Sequence, residues 1–360
     1  MKHLLTTALW LSLTASSFVN ATPAVGSLET VAELPIRPGN VSVSVTAQGR
    51  IFATVHPFDT PSGLQLIEVN RETNAYKAWP SMDLQKTSTA NTAQFDTLLG
   101  IAQDKAGHLW TADMGLELGQ TRIWGFNIKD GSLYKQIVLP QALAPKGSFM
   151  QDLVVDSQKG WIYLADIANP GLLAVRIDDG HTIRFSGHSS LQAETDAVMN
   201  IDNKTTLFNG KVASVAVNPI SLSADGSTLY YGAMNGTHWY QLSTAALQTG
   251  NNDKIIATVK LVGAKPVSDG AATSKQGNHY FTNLNHNAIS MLDNKGTLTT
   301  AVSSPLLDFP DSVQFGETGW LYISVNQLHK AKAFNGKAET AKPPYRIMRL
   351  WTGEDTAAGQ

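Results

Sequence analysis

The chain contains no cysteine. That absence removes disulfides, thiolate metal ligands, a cysteine nucleophile and a lipid-anchoring thiol. Charge is sparse as well, at 16% of residues, and 27 Lys and Arg stand against 29 Asp and Glu. A balance so close to neutral leaves no basic footprint for nucleic acid or for an anionic membrane. Beyond the N-terminus no run approaches the roughly 20 apolar residues of a spanning helix. There is no GxSxG elbow, phosphate loop or GxGxxG, which excludes the common serine-hydrolase, nucleotide and dinucleotide chemistries. His56, His238, His286 and His329 stand singly, with no HExxH or similar helical spacing, so no zinc site is expected. Oxygen and imidazole chemistry remains, on a chain that is 42% hydrophobic and so able to bury a large core.

The N-terminus carries Lys2 and His3, an apolar stretch from Leu4 to Leu13, and then Val19-Asn20-Ala21. A charged start, a short apolar run and a small-x-small site describe a secretory signal peptide over residues 1–21, cleaved after Ala21. The expectation is a secreted or periplasmic protein with one domain over residues 22–360. Without disulfides, that domain must rely on packing and hydrogen bonds in an oxidising compartment.

Six segments share one grammar, an apolar strand, a turn on glycine and a second strand rich in aromatic and β-branched residues. They are VSVSVTAQGRIFATVH, LGIAQDKAGHLWTADM, DLVVDSQKGWIYLADI, NPISLSADGSTLYYGAM, DGAATSKQGNHYFTNL and DSVQFGETGWLYISVN. Their turn glycines are Gly49, Gly107, Gly160, Gly226, Gly277 and Gly319, a period close to the ~40–50 residues of a propeller blade. Third and fourth strands follow, as in Leu172 to Asp178 and Thr182 to Ser186. The pattern predicts an all-β, six-bladed β-propeller with four-stranded blades. The last repeat reaches only a third strand, Pro343 to Trp351, and the spare segment Leu28 to Leu34 supplies the fourth. That closure pairs the two ends and removes exposed sheet edges. The tryptophans Trp110, Trp124, Trp161, Trp239 and Trp320 read as packing between blades. The polar interval Gly187 to Ser214 exceeds a blade connection and reads as a lid.

In a propeller the start of each first strand and the end of each second strand share one mouth of the channel. First-strand starts carry Asn40, Asp152, Asn218, Asp269 and Asp311; second-strand ends carry His56, Asp113, Asp166, Asn235, Asn283 and Asn326. Asp and Asn commonly serve turns and loop backbone. Recurrence at one mouth nevertheless concentrates polar groups where a ligand or ion could sit. A hard cation such as calcium would suit Asn218 and Asp269, and water alone would also satisfy such a ring. His56, in VHPF, is placed for a general base, a ligand-orienting imidazole or a structural hydrogen bond.

These residues resemble the Yellow and major royal jelly protein family. The stretches that carry the likeness are GNVSVSVTAQGRIFATVHPF, LWTADMG, QDLVVDSQKGWIYLADI, LSADGSTLYYGAM, VSDGAATSKQGNHYFTNLNHNAI and FPDSVQFGETGWLYISVNQLH. The resemblance implies a secreted six-bladed propeller with a ligand site at the axial mouth. In some members it implies dopachrome conversion or binding of small amines, and other members are regarded as non-enzymatic. A more distant likeness is to the gluconolactonase and senescence marker protein family, which holds a metal with a Glu, an Asn and an Asp. Asn218 and Asp269 match the last two; the Glu has no counterpart, because the first repeat starts Pro38-Gly39-Asn40.

The resulting expectation is a propeller, acting as a monomer, that binds a small aromatic or cationic organic molecule. Its catalytic candidates are His56, Asp152 and Asp269, and its ligand-binding candidates are Asn40, Asp113, Asp166, Asn218, Asn283, Asp311 and Asn326. No cofactor is assigned; calcium or another divalent ion at Asn218 and Asp269 is the metal candidate. The alternatives are a metal-dependent lactonase and a protein-interaction propeller that uses its rim.

Overall fold

A computed structural model describes residues 22–44, 49–58, 63–85, 91–336 and 338–356. The expected signal peptide lies outside the described residues. Six four-stranded antiparallel sheets follow one another along the chain. From the axis outward, blade one contains Pro38–Val43, Ile51–Val55, Leu66–Val69 and Tyr76–Ala78. Blade two contains Leu98–Gln103, His108–Asp113, Arg122–Asn127 and Leu133–Val138, and blade three Met150–Asp156, Trp161–Asp166, Gly171–Arg176 and Thr182–Ser186. Blade four is built from Val217–Leu222, Thr228–Ala233, His238–Ser243 and Lys260–Ala264, and blade five from Ala271–Thr273, His279–Asn283, Ala288–Leu292 and Leu298–Ser303. Blade six takes Pro310–Phe315, Trp320–Val325 and Tyr345–Trp351, and borrows Leu28–Leu34 as its outer strand. The innermost strands touch their neighbours in a closed cycle from blade one to blade six and back. This is the six-bladed propeller the repeat predicts, sealed by its two ends.

The repeated glycines have a backbone reason. All six turn glycines adopt φ between +67° and +88°, the left-handed region that costs glycine little and most L-residues considerably more. Burial falls from hub to rim. The inner strands are wholly buried in most blades, whereas Leu133–Val138, Lys260–Ala264 and Leu298–Ser303 are largely exposed. Apolar clusters fill the spaces between blades, such as Leu99, Trp110 and Ile123 against Leu153, Ile162 and Leu173. The five tryptophans expected in the core are buried there.

The insertion after blade three folds into a short 3-10 turn at Ser189–Leu191 and two small hairpins, Asn200–Ile201 with Lys204–Thr205 and Leu207–Phe208 with Lys211–Val212. Its Ala197, Met199 and Ile201 pack with Met234, Val267, Phe309 and Phe334. The segment is thus seated on the axial mouth by an apolar underside. Among the described residues no helix is long and apolar enough to cross a membrane.

Candidate functional site

The inner strands lose regular pairing where they enter the channel. Register shifts lie between Pro38 and Val41, Leu98 and Ile101, Met150 and Asp152, Val217 and Ile220, and Pro310 and Val313. Such bulges release a residue from the ladder and re-aim its side chain. The released positions include Asn40, Gln151, Asn218 and Asp311, while Asp269 immediately precedes the short inner strand of blade five.

Hydroxyls on the second strands take over the backbone groups that the bulges free. Thr54 Oγ1 accepts from the Asn40 amide at 3.0 Å, Thr282 Oγ1 from Asp269 and Gly270 at 2.9 and 3.0 Å, and Ser324 Oγ from Ser312 at 3.1 Å. Thr111 Oγ1 donates to the Gly100 carbonyl at 2.9 Å. Gly270 is held by close approach, since a Cβ there would lie 2.7 Å from the Asp311 carbonyl oxygen and 2.8 Å from Ser312 Cα. The chain can pass so near its neighbouring blade only without a side chain.

The released side chains form a network across the axis. Asn40 Nδ2 donates to the Gln151 carbonyl at 3.1 Å, and Gln151 Nε2 donates to Asp269 Oδ1 at 2.6 Å. Asn218 Nδ2 donates to the same oxygen at 2.5 Å. Asp152 accepts from the Leu153 and Ile220 amides, and Asp311 accepts from Asn326 Nδ2 at 2.5 Å. Of these side chains, Asn40 Oδ1, Asn218 Oδ1, Asp269 Oδ2 and Asp311 Oδ1 are buried without a partner among the described residues. All four are oxygens.

Burial pushes the Asp152 and Asp311 carboxyls up to about 7. Asp269 is raised well above the usual carboxylate range, by burial first and then by the charge of Asp311. Nearby Lys265, whose ammonium donates to the Gly236 and Pro266 carbonyls, is lowered by burial to about 7. Asp152, Asp311 and Lys265 therefore change charge near neutral pH, and Asp269 holds its proton well above the usual carboxylate range, in a space where ionised groups lack enough opposite charge. His56 is lowered to about 3 by burial and by the Arg37 guanidinium, and its Nδ1 accepts from the Phe58 amide at 3.2 Å. The ring is therefore neutral with its proton on Nε2, a weak base and a usable hydrogen-bond donor.

Above the network lies a cavity of about 210 Å³. His56, Gln151 and Asp269 contribute its polar side, and Phe58, Phe149, Phe208 and Phe334 its aromatic wall. Phe208 comes from the insertion and stands 5.3 Å from Phe334 and 6.2 Å from Phe58, ring to ring.

Not every expected residue joins this assembly. Asp113 accepts from the Asp96, Thr97 and Gly115 amides and from Trp124 Nε1, and pairs with Arg122 at 2.6 Å. Asp166 likewise accepts from the Phe149, Ala168 and Asn169 amides and pairs with Arg184 at 3.1 Å. Asn283 bonds Ser290 and His286, and Asn235 bonds Val215 and Ala197. These second-strand ends tie down the loops that cross the mouth, because loop amides need acceptors there. Asn326 does both jobs, donating to Asp311 and accepting from the Leu328 amide of the following loop.

Sequence reasoning passed over Gln151, Lys265, Arg37 and the phenylalanine wall. Gln151 was hidden by its neighbour Asp152, which looked like the strand start. The second-strand hydroxyls in FATV, LWTAD, YFTNL and YISVN were a visible signal of the bulges opposite them.

A family model described as Major royal jelly protein matches residues 97–333. Major royal jelly protein 7 of Apis mellifera is 21% identical over 269 residues, which are 69% of this chain and 58% of that relative. The chain thus spans less than two thirds of that protein's length. Among solved structures, a putative gluconolactonase superposes with a TM-score of 0.58 at 12% identity, covering 95% of this chain and 97% of that one. A gluconolactonase from Xanthomonas campestris gives 0.55 at 14% identity, over 90% and 89%. A streptogramin B lyase gives 0.53 at 14% identity, over 90% and 97%. At such identities the likeness is one of fold.

Proposed function

The chain belongs to the major royal jelly protein family, and from that premise we propose that it binds a small aromatic amine, or a similar aromatic molecule with a cationic end, in the axial cavity. The observation that carries this reading is the pairing of a phenylalanine wall with a polar side that includes Asp269, whose buried Oδ2 has no partner among the described residues. Oxygens without donors require a donor or a cation, since burying an unsatisfied polar group costs roughly 1–3 kcal/mol. An ammonium supplies three donors and a positive charge, and a ring on the same molecule suits the aromatic wall. Binding such a cation favours ionised Asp269 and releases its proton.

If the bound molecule is quinone-like, a dopachrome-type tautomerisation would use Asp269 for proton transfer. His56 would hold a substrate oxygen through its Nε2 proton, being too weak a base at about 3 to abstract one near neutral pH. Secretion or a periplasmic location belongs to the same proposal and rests on residues 1–21.

The unpartnered oxygens also favour a second reading, a hard divalent cation held by Asn218 and Asp269 with Asn40 alongside. Such an ion would supply a Lewis acid for lactone hydrolysis, as in gluconolactonases, which share this fold. The first blade offers the neutral Asn40 where that chemistry wants a carboxylate, which weakens the site for a doubly charged ion.

A thermal-shift panel distinguishes these readings, because selective binding to the folded state raises its melting temperature. Aromatic amines, catechols and aldonolactones are each tested with chelator and with calcium. Stabilisation by aromatic amines in chelator supports the first reading. Stabilisation that requires calcium supports the second, and a panel with no shift under any condition refutes both.

A further inference from the structure

The single-histidine pattern predicts no zinc site, yet the fold gathers a candidate that no motif contains. Asp202, Asp308 and His329 offer one ligand atom each, all within 4.8 Å of one another. His329 Nε2 lies 3.5 Å from Asp202 Oδ2 and 3.6 Å from Asp308 Oδ1. Both separations are too long for hydrogen bonds. They come within a few tenths of an ångström of the edge of a tetrahedral site, which is about 3.4 Å when metal-ligand bonds are about 2.1 Å.

A second observation stands beside this spacing. The His329 side chain is only 10% exposed, and neither ring nitrogen has a hydrogen-bond partner among the described residues. Its ring stacks on Phe309 with centroids 5.9 Å apart and planes inclined by 12°, which fixes its orientation. Asp308 is oriented too, because its other oxygen is held by the Lys330 ammonium. Asp202 occupies the turn of the first insertion hairpin, where it and Asn203 both take left-handed backbone angles. The Asn200 amide donates to Asn285 Oδ1 at 2.9 Å, and Ile201 is buried beneath, so the turn is anchored at this place.

We propose that Asp202, Asp308 and His329 bind one divalent cation of the zinc type, with the fourth position open to solvent, and that the ion fastens the insertion to blade six. One imidazole nitrogen and two carboxylate oxygens suit zinc, cobalt or nickel better than calcium, which takes 6–8 oxygens. The site bridges the two segments that bring Phe208 and Phe334 to the axial cavity, so the ion holds two cavity walls in one arrangement. This goes beyond the proposed axial function and does not depend on it.

The test is titration of chelator-treated full-length protein with Co²⁺, followed by its visible absorption, and with Zn²⁺ by calorimetry. The expected result is one equivalent per chain with a tetrahedral cobalt spectrum. Affinity should fall more than about tenfold in His329→Ala and in Asp202→Asn, and should be retained in the axial variant Asp269→Asn. Asp202 is exposed, so its variant decides the matter if His329→Ala does not fold. Absence of a stoichiometric site, wild-type affinity in Asp202→Asn, or loss of binding in Asp269→Asn would overturn the proposal.

Discussion

Gln151 donates from its side-chain amide to Asp269 across the propeller axis at 2.6 Å, although 118 residues separate them in the chain. Blade three thereby holds one oxygen of a carboxylate from blade five, and Asn218 of blade four holds the same oxygen. The second Asp269 oxygen is left without a partner among the described residues. A carboxylate gripped on one side and bare on the other is prepared for a donor from outside.

Asp152 provides the clearest dependence on pH. Its carboxyl is raised from an ordinary 3.8 to about 7, chiefly by burial. The folded state then binds the proton more tightly than the unfolded state, so the contribution to stability is full below about 4 and is lost as pH rises towards 7. Relative to Asp152→Asn, the wild type should lose up to about 1.4 kcal/mol per pH unit across that window and nothing further above it. Urea unfolding of both proteins from pH 4 to 8 measures the difference, and His56 cancels because both carry it. A flat difference would show that Asp152 is not protonated in the fold.

Phe208 should matter to the ligand more than to the fold. It is partly exposed at 37% and belongs to the insertion, yet its ring closes on Phe58 and Phe334. Aromatic contacts of this kind are worth about 0.5–1.5 kcal/mol. Phe208→Ala is expected to weaken binding of an aromatic amine roughly two- to tenfold with little change in melting temperature. Unchanged affinity would place the ligand away from the insertion.

Asp113 should behave in the opposite way. Asp113→Asn breaks its pair with the buried Arg122 and disturbs three loop amides. The expected cost is about 3–5 kcal/mol of stability, with ligand affinity of the folded protein unchanged. Denaturant unfolding and calorimetry on the same preparation separate the two effects.

The hub was legible in the sequence and the cavity was not. Alternation of apolar strands and left-handed glycines at Gly107 or Gly160 repeats in every blade, because each blade solves the same packing problem. Leu28 to Leu34 could be recognised as the closing strand because blade six lacked an outer one. Asn40, Asn218, Asp269 and Asp311 could be placed at the channel by their position at strand starts. What polar pattern could not separate is a carboxylate with free oxygens from one already spent. Asp113 and Asp166 read like Asp269, and what distinguishes them is the loop amides they accept from and the pairs with Arg122, on the third strand of blade two, and Arg184, on the outer strand of blade three. Phe149, Phe208 and Phe334 come from three separate connections with no shared period, and His329 meets Asp202 only because the insertion folds back over the mouth.

The most direct measurement is calorimetric titration of chelator-treated protein with tyramine and with its neutral counterpart 4-ethylphenol, in two buffers of different ionisation enthalpy. The account predicts one site for tyramine, at least about tenfold weaker binding of 4-ethylphenol, proton release on binding, and loss of tyramine binding in Asp269→Asn. Equal binding of the two compounds, or tyramine binding that survives Asp269→Asn without proton release, would contradict it.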